Sequence, residues 1–563
     1  MIEDINDVHY HIVYISLGVV IASMCYGLWY MNKGLAIIVA SLFFSILFIK
    51  TNKTFMFIII IVSLIQICNC FRYYSIETGR VYGEVKIIKV NDNYSVAKYM
   101  GRKVYIACRE KLEVGEVIKI NGEFTKCNDI ESGIVGTIEV EGRILGNRQT
   151  INSRLFKFRE NIYNKLKENL GGRKAALICS LSYGYTDYLD EVDKENFNNM
   201  GIIHAISVSG MHVAIIYSIL KNLIKRPLIV PIIILYVLFT SAPVSAVRAL
   251  IMIIIKIGGE IFYRNYSAIA AIAISAMLTL IYGPYLFFNL GFQLSYLSTL
   301  GIIIFNKQVC DRLYMIPDII RSTVAISISA MIFTIPIIIR EFNEVSSVSV
   351  LANVIIVPIL NIIIFLGNVF IIIYKSQFLF DLLSYILLKI IVILDNVMDI
   401  IYNISCNTII LNKEYVFLYG AIIVTVCFIK SGYKKAEVLP IIASILMIIN
   451  IYSPFLKIEY LRQGGVALSY RGESIILLQD SSPDIQNLKK IYGTDNVIIN
   501  DRNYITIAEA ILEQEEKFYT LKINNKSIYL DVNRYKNKES KGINFRNDYI
   551  DVLYVIDNNI YSY

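Results

Sequence analysis

Two of the four histidines in the chain, His204 and His212, fall in one apolar run together with Ser207, Ser209 and Gly210. An imidazole beside a hydroxyl can serve as base and nucleophile, provided that the two meet within about 3 Å. No carboxylate stands inside the run to orient such a base; Asp187, Asp190 and Asp193 lie upstream. The same residue types suit a second task. Polar side chains are costly among apolar helices, so they are kept where they line a wet passage or join helices. A plainer assignment is that the small residues pack helices and the histidines cap polar networks.

Three further polar groups interrupt the apolar half. Arg248 follows Ser241, Pro243 and Ser245; its guanidinium either snorkels to an interface or meets phosphates. Asn289, Gln293 and Tyr296 recur at spacings of four and three, which sets them on one helix face, with Ser295 beside them. Arg340, Glu341 and Asn343 precede Asn353 and Pro358, and the Arg-Glu pair reads equally as the end of a span.

The elements that must position these groups are membrane helices. The chain is 56% hydrophobic and 18% charged, against about 25% charged in soluble domains. The apolar residues are clustered into windows of about 20, the length that crosses a hydrocarbon core. Residues 1–71 hold three spans, at 11–31, 34–50 and 54–71, and no cleavable signal peptide is expected. From 200 to 453 the composition predicts roughly seven to ten more. Pro227, Pro231, Pro243, Pro284, Pro336 and Pro358 interrupt them. Broken helices are tolerated at membrane depth where the freed backbone faces protein or water.

Residues 72–150 change character, with charges returning and apolar residues alternating. Stretches 81–90, 103–107, 115–124 and 136–145 read as short strands between glycine turns. About five strands in so short a segment predict a small OB-like barrel. Such a barrel binds single strands by stacking bases on aromatics beside a basic groove. Tyr82, Lys86, Lys98, Arg102, Lys103 and Tyr105 are the candidates, with Tyr94, Tyr99 and Phe124 nearby; in any small barrel the same types also serve as core and solvated surface. Residues 151–199 read as amphipathic linker helices, with Leu155, Phe158, Ile162 and Leu166 at helical spacing. The first of them suits either a membrane surface or a plain connector.

Lysine and arginine placement orients the chain. Lys50 and Lys53 place the turn between spans two and three in the cytoplasm, which leaves the barrel outside. Lys221, Lys225 and Arg226 agree, and Lys430, Lys434 and Lys435 place residues 454–563 outside as well. The fold class expected is therefore a polytopic α-helical membrane protein with an inserted extracytoplasmic OB-like barrel and a small C-terminal α/β domain.

The ordered strings 176–181, 203–213, 239–250, 291–296 and 342–353, then Pro358, resemble the ComEC family of competence proteins. Residues 204–213 read HAISVSGMHV where the family reads approximately HLLAISGLHV. The resemblance spans roughly residues 1–450 and includes a barrel inserted after the first spans. It implies a channel for single-stranded DNA in the bacterial cytoplasmic membrane during natural transformation. The path residues it suggests are His204, Ser207, Ser209, Gly210, His212, Arg248, Asn289, Gln293, Ser295 and Asn353. It also implies an extracytoplasmic DNA receptor and a cytoplasmic helicase-like ATPase as partners, beside membrane lipid; a homo-oligomer is left open. The chain supplies no motor of its own, because no Gly-Lys dipeptide and hence no P-loop occurs in it.

Many members of that family end in a metallo-β-lactamase-like domain. Here residues 461–467 and 475–480 resemble its opening strands, but Gly465 stands where the family usually has Asp. Residues 456–563 contain neither His nor Cys, so zinc chemistry lacks its ligands. A truncated remnant without metal or other cofactor is expected, and no enzymatic activity. A carboxylate-held magnesium site on Asp480, Asp484 and Asp531 is the minor alternative. A disulfide among Cys68, Cys70, Cys108 and Cys127 is as plausible as free thiols. The rival functions are a membrane-embedded hydrolase using the Ser-His run and a transporter of another polar solute.

Overall fold

The computed structural model describes residues 8–90, 94–107, 112–141, 145–148, 150–206, 208–404 and 408–430. Beyond these it describes 432–461, 465–478, 485–494, 496–499, 504–507, 510–514, 518–523, 526–531, 543–544, 552–556 and 559–562. The chain divides into two compact units, 1–334 with 348–406 and 335–347 with 407–563.

The first unit opens with helices α1 (Val8–Met31), α2 (Lys33–Lys50) and α3 (Lys53–Tyr74). The turn between α1 and α2 is set by Asn32, whose side chain accepts the Leu35 N–H at 3.1 Å and so caps the new helix. The barrel follows: β1 (Gly79–Val90), β2 (Ser95–Tyr99), β3 (Arg102–Ala107), β4 (Val117–Asp129), β5 (Ile134–Val140) and β6 (Leu145–Arg148). Its strands run in the order β1-β2-β3-β5-β4, and β4 pairs back onto β1 to close the ring. Only the β3–β5 pairing within it is parallel. That connectivity is the five-stranded Greek-key barrel of the OB fold. Alternation explains its inside, where Val85, Ile87, Ala97, Val104, Ile106, Ile118, Ile120 and Phe124 are all buried.

The barrel is fastened to the helices by tyrosines. The Tyr73 hydroxyl donates to the Gly133 carbonyl at 2.8 Å and accepts the Lys103 N–H at 3.0 Å. Gly133 has φ near +74°, and the ring of Tyr285 fills the space a Cβ would need. Any other residue there would be strained and would push the ring away.

Next come α4 (Ile151–Leu170), α5 (Gly172–Tyr183) and α6 (Glu191–Asn199). The sequence left α4 between a membrane surface and a connector. Its apolar stripe, Leu155, Phe158, Ile162 and Leu166, packs into the largest core of the unit, against residues of α5 and of the later helices. Then follow α7 (Gly210–Leu223), α8 (Arg226–Phe239), α9 (Val244–Ile261), α10 (Ala268–Tyr282), α11 (Leu290–Arg312), α12 (Asp318–Phe342), α13 (Ser349–Ile373) and α14 (Gln377–Ile404). α12 runs across the division between the units.

Among the described residues six helices are long and apolar enough to cross a membrane: His11–Met31, Lys33–Lys50, Lys53–Tyr74, Ile320–Phe342, Ser349–Ile373 and Gln377–Asn403. Three of these lie beyond residue 200, where composition alone suggested more. Proline accounts for part of the difference. Pro227, Pro243 and Pro284 each stand at the start of an element, which shortens α8 and separates α9 and α11 from the helices before them. Pro231, Pro336 and Pro358 are carried inside helices.

The second unit contains α15 (Glu414–Lys430), α16 (Val438–Ile451) and a small strand pair, β7 (Glu344–Val345) with β8 (Ile409–Ile410). A sheet of β9 (Leu456–Leu461), β10 (Gly465–Tyr470), β11 (Glu473–Leu478) and β12 (Val497–Ile499) follows. α17 (Ile485–Tyr492) connects the last two strands, which run parallel. A second sheet holds β13 (Tyr504–Ile507), β14 (Ala510–Gln514), β15 (Phe518–Ile523), β16 (Lys526–Asp531) and β17 (Ile543–Asn544). The closing hairpin, β18 (Val552–Ile556) and β19 (Asn559–Ser562), returns to the first sheet beside β9. Gly465 opens β10. Asp480 and Asp484, and the side chain of Asp531, lie outside the described residues. Among the described residues no cluster of His, Cys, Asp and Glu suits a metal ion.

Candidate functional site

The histidine-serine run is irregular backbone between two helices. Ile203–Ala205 form one 3-10 turn, and α7 starts only at Gly210. Ser207 lies outside the described residues. Ser209 is the N-cap of α7: its Oγ accepts the Met211 N–H at 3.2 Å, and His212 Nδ1 accepts the Ser209 N–H at 2.9 Å. This is a capping box in which a histidine takes the place of the usual Glu or Gln. The second ring nitrogen of His212 lies 2.7 Å from the Leu181 carbonyl. A backbone N–H can only donate and a carbonyl only accept, so Nδ1 is bare and Nε2 carries the proton. His212 is fully buried and joins α5 to α7.

Ser209 Oγ also stands 3.1 Å from His212 Nδ1. The distance is that of a hydrolytic dyad, but the lone pair of Nδ1 is already directed at an N–H. No carboxylate orients the ring; a backbone carbonyl does.

His204 is placed differently: it lies in the 3-10 turn ahead of α7, and its side chain is exposed. Across from the run, Ser245 Oγ donates to the Val208 carbonyl at 2.9 Å and ties the start of α9 to it. The loop before α9 carries two successive left-handed residues, Ser241 and Ala242, an uncommon backbone for residues with a Cβ.

One turn into α9 stands Arg248, 9% exposed. Its Nε has no hydrogen-bond partner, and among the described residues no carboxylate pairs with it. The guanidinium lies 5.9 Å from the ring centre of Tyr296 on α11, a cation–π distance. Tyr296 is held in turn by Ser275 at 2.9 Å and Thr279 at 3.0 Å, both on α10. On the other side, Arg248 Nη2 would come 2.6 Å from a Cβ built on Gly210. Glycine at the start of α7 is what lets the guanidinium approach that helix end.

The remaining path candidates divide. Asn289 caps α11 by accepting the Phe292 N–H at 3.2 Å, and Gln293 Nε2 donates to the Phe287 carbonyl at 3.0 Å. Gln293 Oε1 and Ser295 Oγ are buried without a partner. Asn353 is half-buried on α13, a helix that packs on α5 and α7. The structure thus gathers Ser209, Gly210, His212 and Arg248 at one place. Asn289 and Gln293 serve their own turn.

On the barrel, Tyr99 and Phe124 belong to the core. Tyr82 is exposed, and Tyr94 meets Tyr105 edge-on at 4.9 Å. Lys98 Nζ reaches the Tyr282 hydroxyl at 3.2 Å, and Lys103 Nζ lies 4.4 Å from the ring centre of Tyr285. Burial, with Lys98 nearby, holds the Lys103 ammonium below its usual range. Arg102 donates to the Arg72 carbonyl at the end of α3. These cations therefore sit where the barrel meets the helices. Sequence reasoning passed over Arg72, Tyr282 and Tyr285, although each stands at the polar end of an apolar run where an aromatic or basic residue signals an interface. Cys68, Cys70 and Cys127 are free thiols; Cys108 lies outside the described residues.

Residues 181–434 match a family model described as Competence protein. The chain is similar to ComE operon protein 3 of Bacillus subtilis (strain 168), with 24% identity over 214 residues, 36% of this chain and 27% of that protein. It is also similar to an uncharacterized protein of Aquifex aeolicus (strain VF5), 26% identical over 169 residues, 29% of this chain and 39% of that one. The chain thus spans well under half the length of the curated relatives it matches. No solved structure matches it. The resemblance drawn from the sequence is borne out over residues 181–434, where the chain matches the competence-protein model.

Proposed function

We propose, from a chain whose residues 181–434 carry the competence family's signature, that its helices pass one strand of DNA across the bacterial cytoplasmic membrane. The observation that carries this reading is Arg248. A guanidinium buried among helices without a counter-charge costs several kcal/mol. Such a cost is tolerated where a mobile anion completes the site, and phosphodiesters are anions that a planar guanidinium binds well. The exposed His204, the polar start of α7 and the unpartnered oxygens of Gln293 and Ser295 supply polar groups for a hydrated path. The closed barrel adds a fold used elsewhere to hold single strands.

Importing each phosphate against an interior-negative membrane costs about 2.3 kcal/mol per 100 mV. With no P-loop in the chain, the pull must come from a partner. A cytoplasmic helicase-like ATPase and an outer DNA receptor fill those roles in this reading. The test is deletion of the gene, scored as labelled DNA reaching a nuclease-protected compartment. Abolished uptake with undisturbed growth on small solutes supports a DNA channel; unchanged uptake rejects it.

The 3.1 Å approach of Ser209 to His212 gives the hydrolase reading one observation of its own. Ser209→Ala separates the two. A channel loses a helix cap worth about 1 kcal/mol and keeps substantial uptake, whereas an enzyme with a serine nucleophile loses all activity.

A further inference from the structure

The seam between barrel and helices carries positive charge that no carboxylate among the described residues pairs with. Lys86 on β1 stands opposite Lys98 on β2, and Lys98 opposite Lys103 on β3. Three ammonium groups thus form one rung across the strands. All three point off the barrel, because their neighbours Val85, Ile87, Ala97 and Val104 fill its inside. Like charges directly opposite one another weaken a sheet, so the rung is a cost unless an anion meets it. The outward carboxylate closest along β1, Glu84, stands opposite Lys119 on the other side of the strand.

Tyr282, whose hydroxyl Lys98 reaches, and Arg102, next to Lys103, line a cavity of about 320 Å³ at the junction. Arg72, from the last turn of α3, and Arg102, from the start of β3, both line it, with Asn69 and Tyr282. No carboxylate does. Among the described residues none of these five cations has an ion pair. Lys98, Arg102 and Lys103 meet a hydroxyl, aromatic rings and carbonyls, which leave the net charge untouched. Tyr282 is 78% exposed beside the cavity and offers an aromatic face.

We propose that this seam is the receiving site for an incoming single strand, with the Lys86-Lys98-Lys103 rung and the Arg72-Arg102 cavity holding successive phosphodiesters and Tyr282 stacking a base. The inference rests on the DNA-channel reading and makes barrel and helices halves of one site. An anionic lipid headgroup shares the phosphate chemistry. The rung favours the polynucleotide, because it crosses three strands, about 10 Å, which is more than one headgroup spans. A stacking ring beside the cavity also suits a base and not a headgroup.

The experiment uses the full chain in phosphatidylcholine nanodiscs, with fluorescein-labelled oligothymidylate as the probe. Arg72→Gln is the primary variant, since Arg72 meets Arg102 through its backbone carbonyl alone and that bond survives the change. Arg72→Gln with Arg102→Gln is the second. Affinity should fall about tenfold for the single change. The slope of log affinity against log salt should shrink by about 0.7 for each phosphate that the variant no longer holds. Native affinity and slope in the double variant would overturn the proposal. So would an effect confined to discs containing phosphatidylglycerol, which marks a headgroup pocket. Binding is read without transport, so a deletion strain with normal uptake would sink the channel reading and leave this result standing.

Discussion

Arg173 and Arg248 lie in the same unit of the chain and are held in opposite ways. Arg173, at the start of α5, forks onto Asp193 of α6 with Nη2 at 2.8 Å and Nε at 3.1 Å, and reaches Asp395 of α14 at 3.0 Å. Asp193 is nearly sealed from solvent. Arg173 is itself exposed, whereas Arg248 is buried and has an aromatic ring, a glycine and, among the described residues, no acid beside it. A charge matched twice over ties three helices together and leaves nothing to bind. A charge matched by nothing is kept at a cost to stability, which points to a partner that comes and goes. Within one fold, a cation that is paired twice at the surface thus stands against one that is buried unpaired.

The comparison breaks first at Arg248. Arg248→Met should cut DNA uptake between about tenfold and a hundredfold, the worth of a charge-assisted hydrogen bond. Its melting temperature in detergent should hold or rise, since an unpaired buried charge is gone. A fall in melting temperature that accounts for the reduced uptake would make Arg248 a structural residue after all. Asp193→Asn should do the reverse. It should lower stability by about 1.5–3 kcal/mol, seen as earlier thermal aggregation, while uptake per folded molecule stays near native. The smallest effect is expected at Gly210. Gly210→Ala puts a methyl against Arg248 Nη2 and should reduce uptake a few-fold. Combined with Arg248→Met it should add almost nothing, because the two act on one contact.

The same contrast separates what was readable in the sequence from what was not. The barrel was legible because alternation in β1, β3 and β4 is a local pattern, and its closure follows once five short strands must bury one face. The helices were legible as apolar runs. Their number was not, because length depends on where proline ends a helix and where neighbours cover one. Among the candidate site residues, types and positions were visible, but Asn289 and His212 turned out to be caps. Capping depends on which backbone groups a helix leaves unpaired, and that is fixed only when the helix begins.

Composition and order by themselves determined that this is a helical membrane chain with an inserted barrel, that it carries no P-loop, and that its last segment lacks zinc ligands. Those are properties of residue type and spacing along a line. Tertiary structure decided which charges are paired. Arg173 and Asp395 are far apart in sequence, as are Arg248 and Gly210, or Lys103 and Tyr285. Whether a buried cation meets a carboxylate, a ring or an open space is set by helices packing across that distance, and no local pattern encodes it.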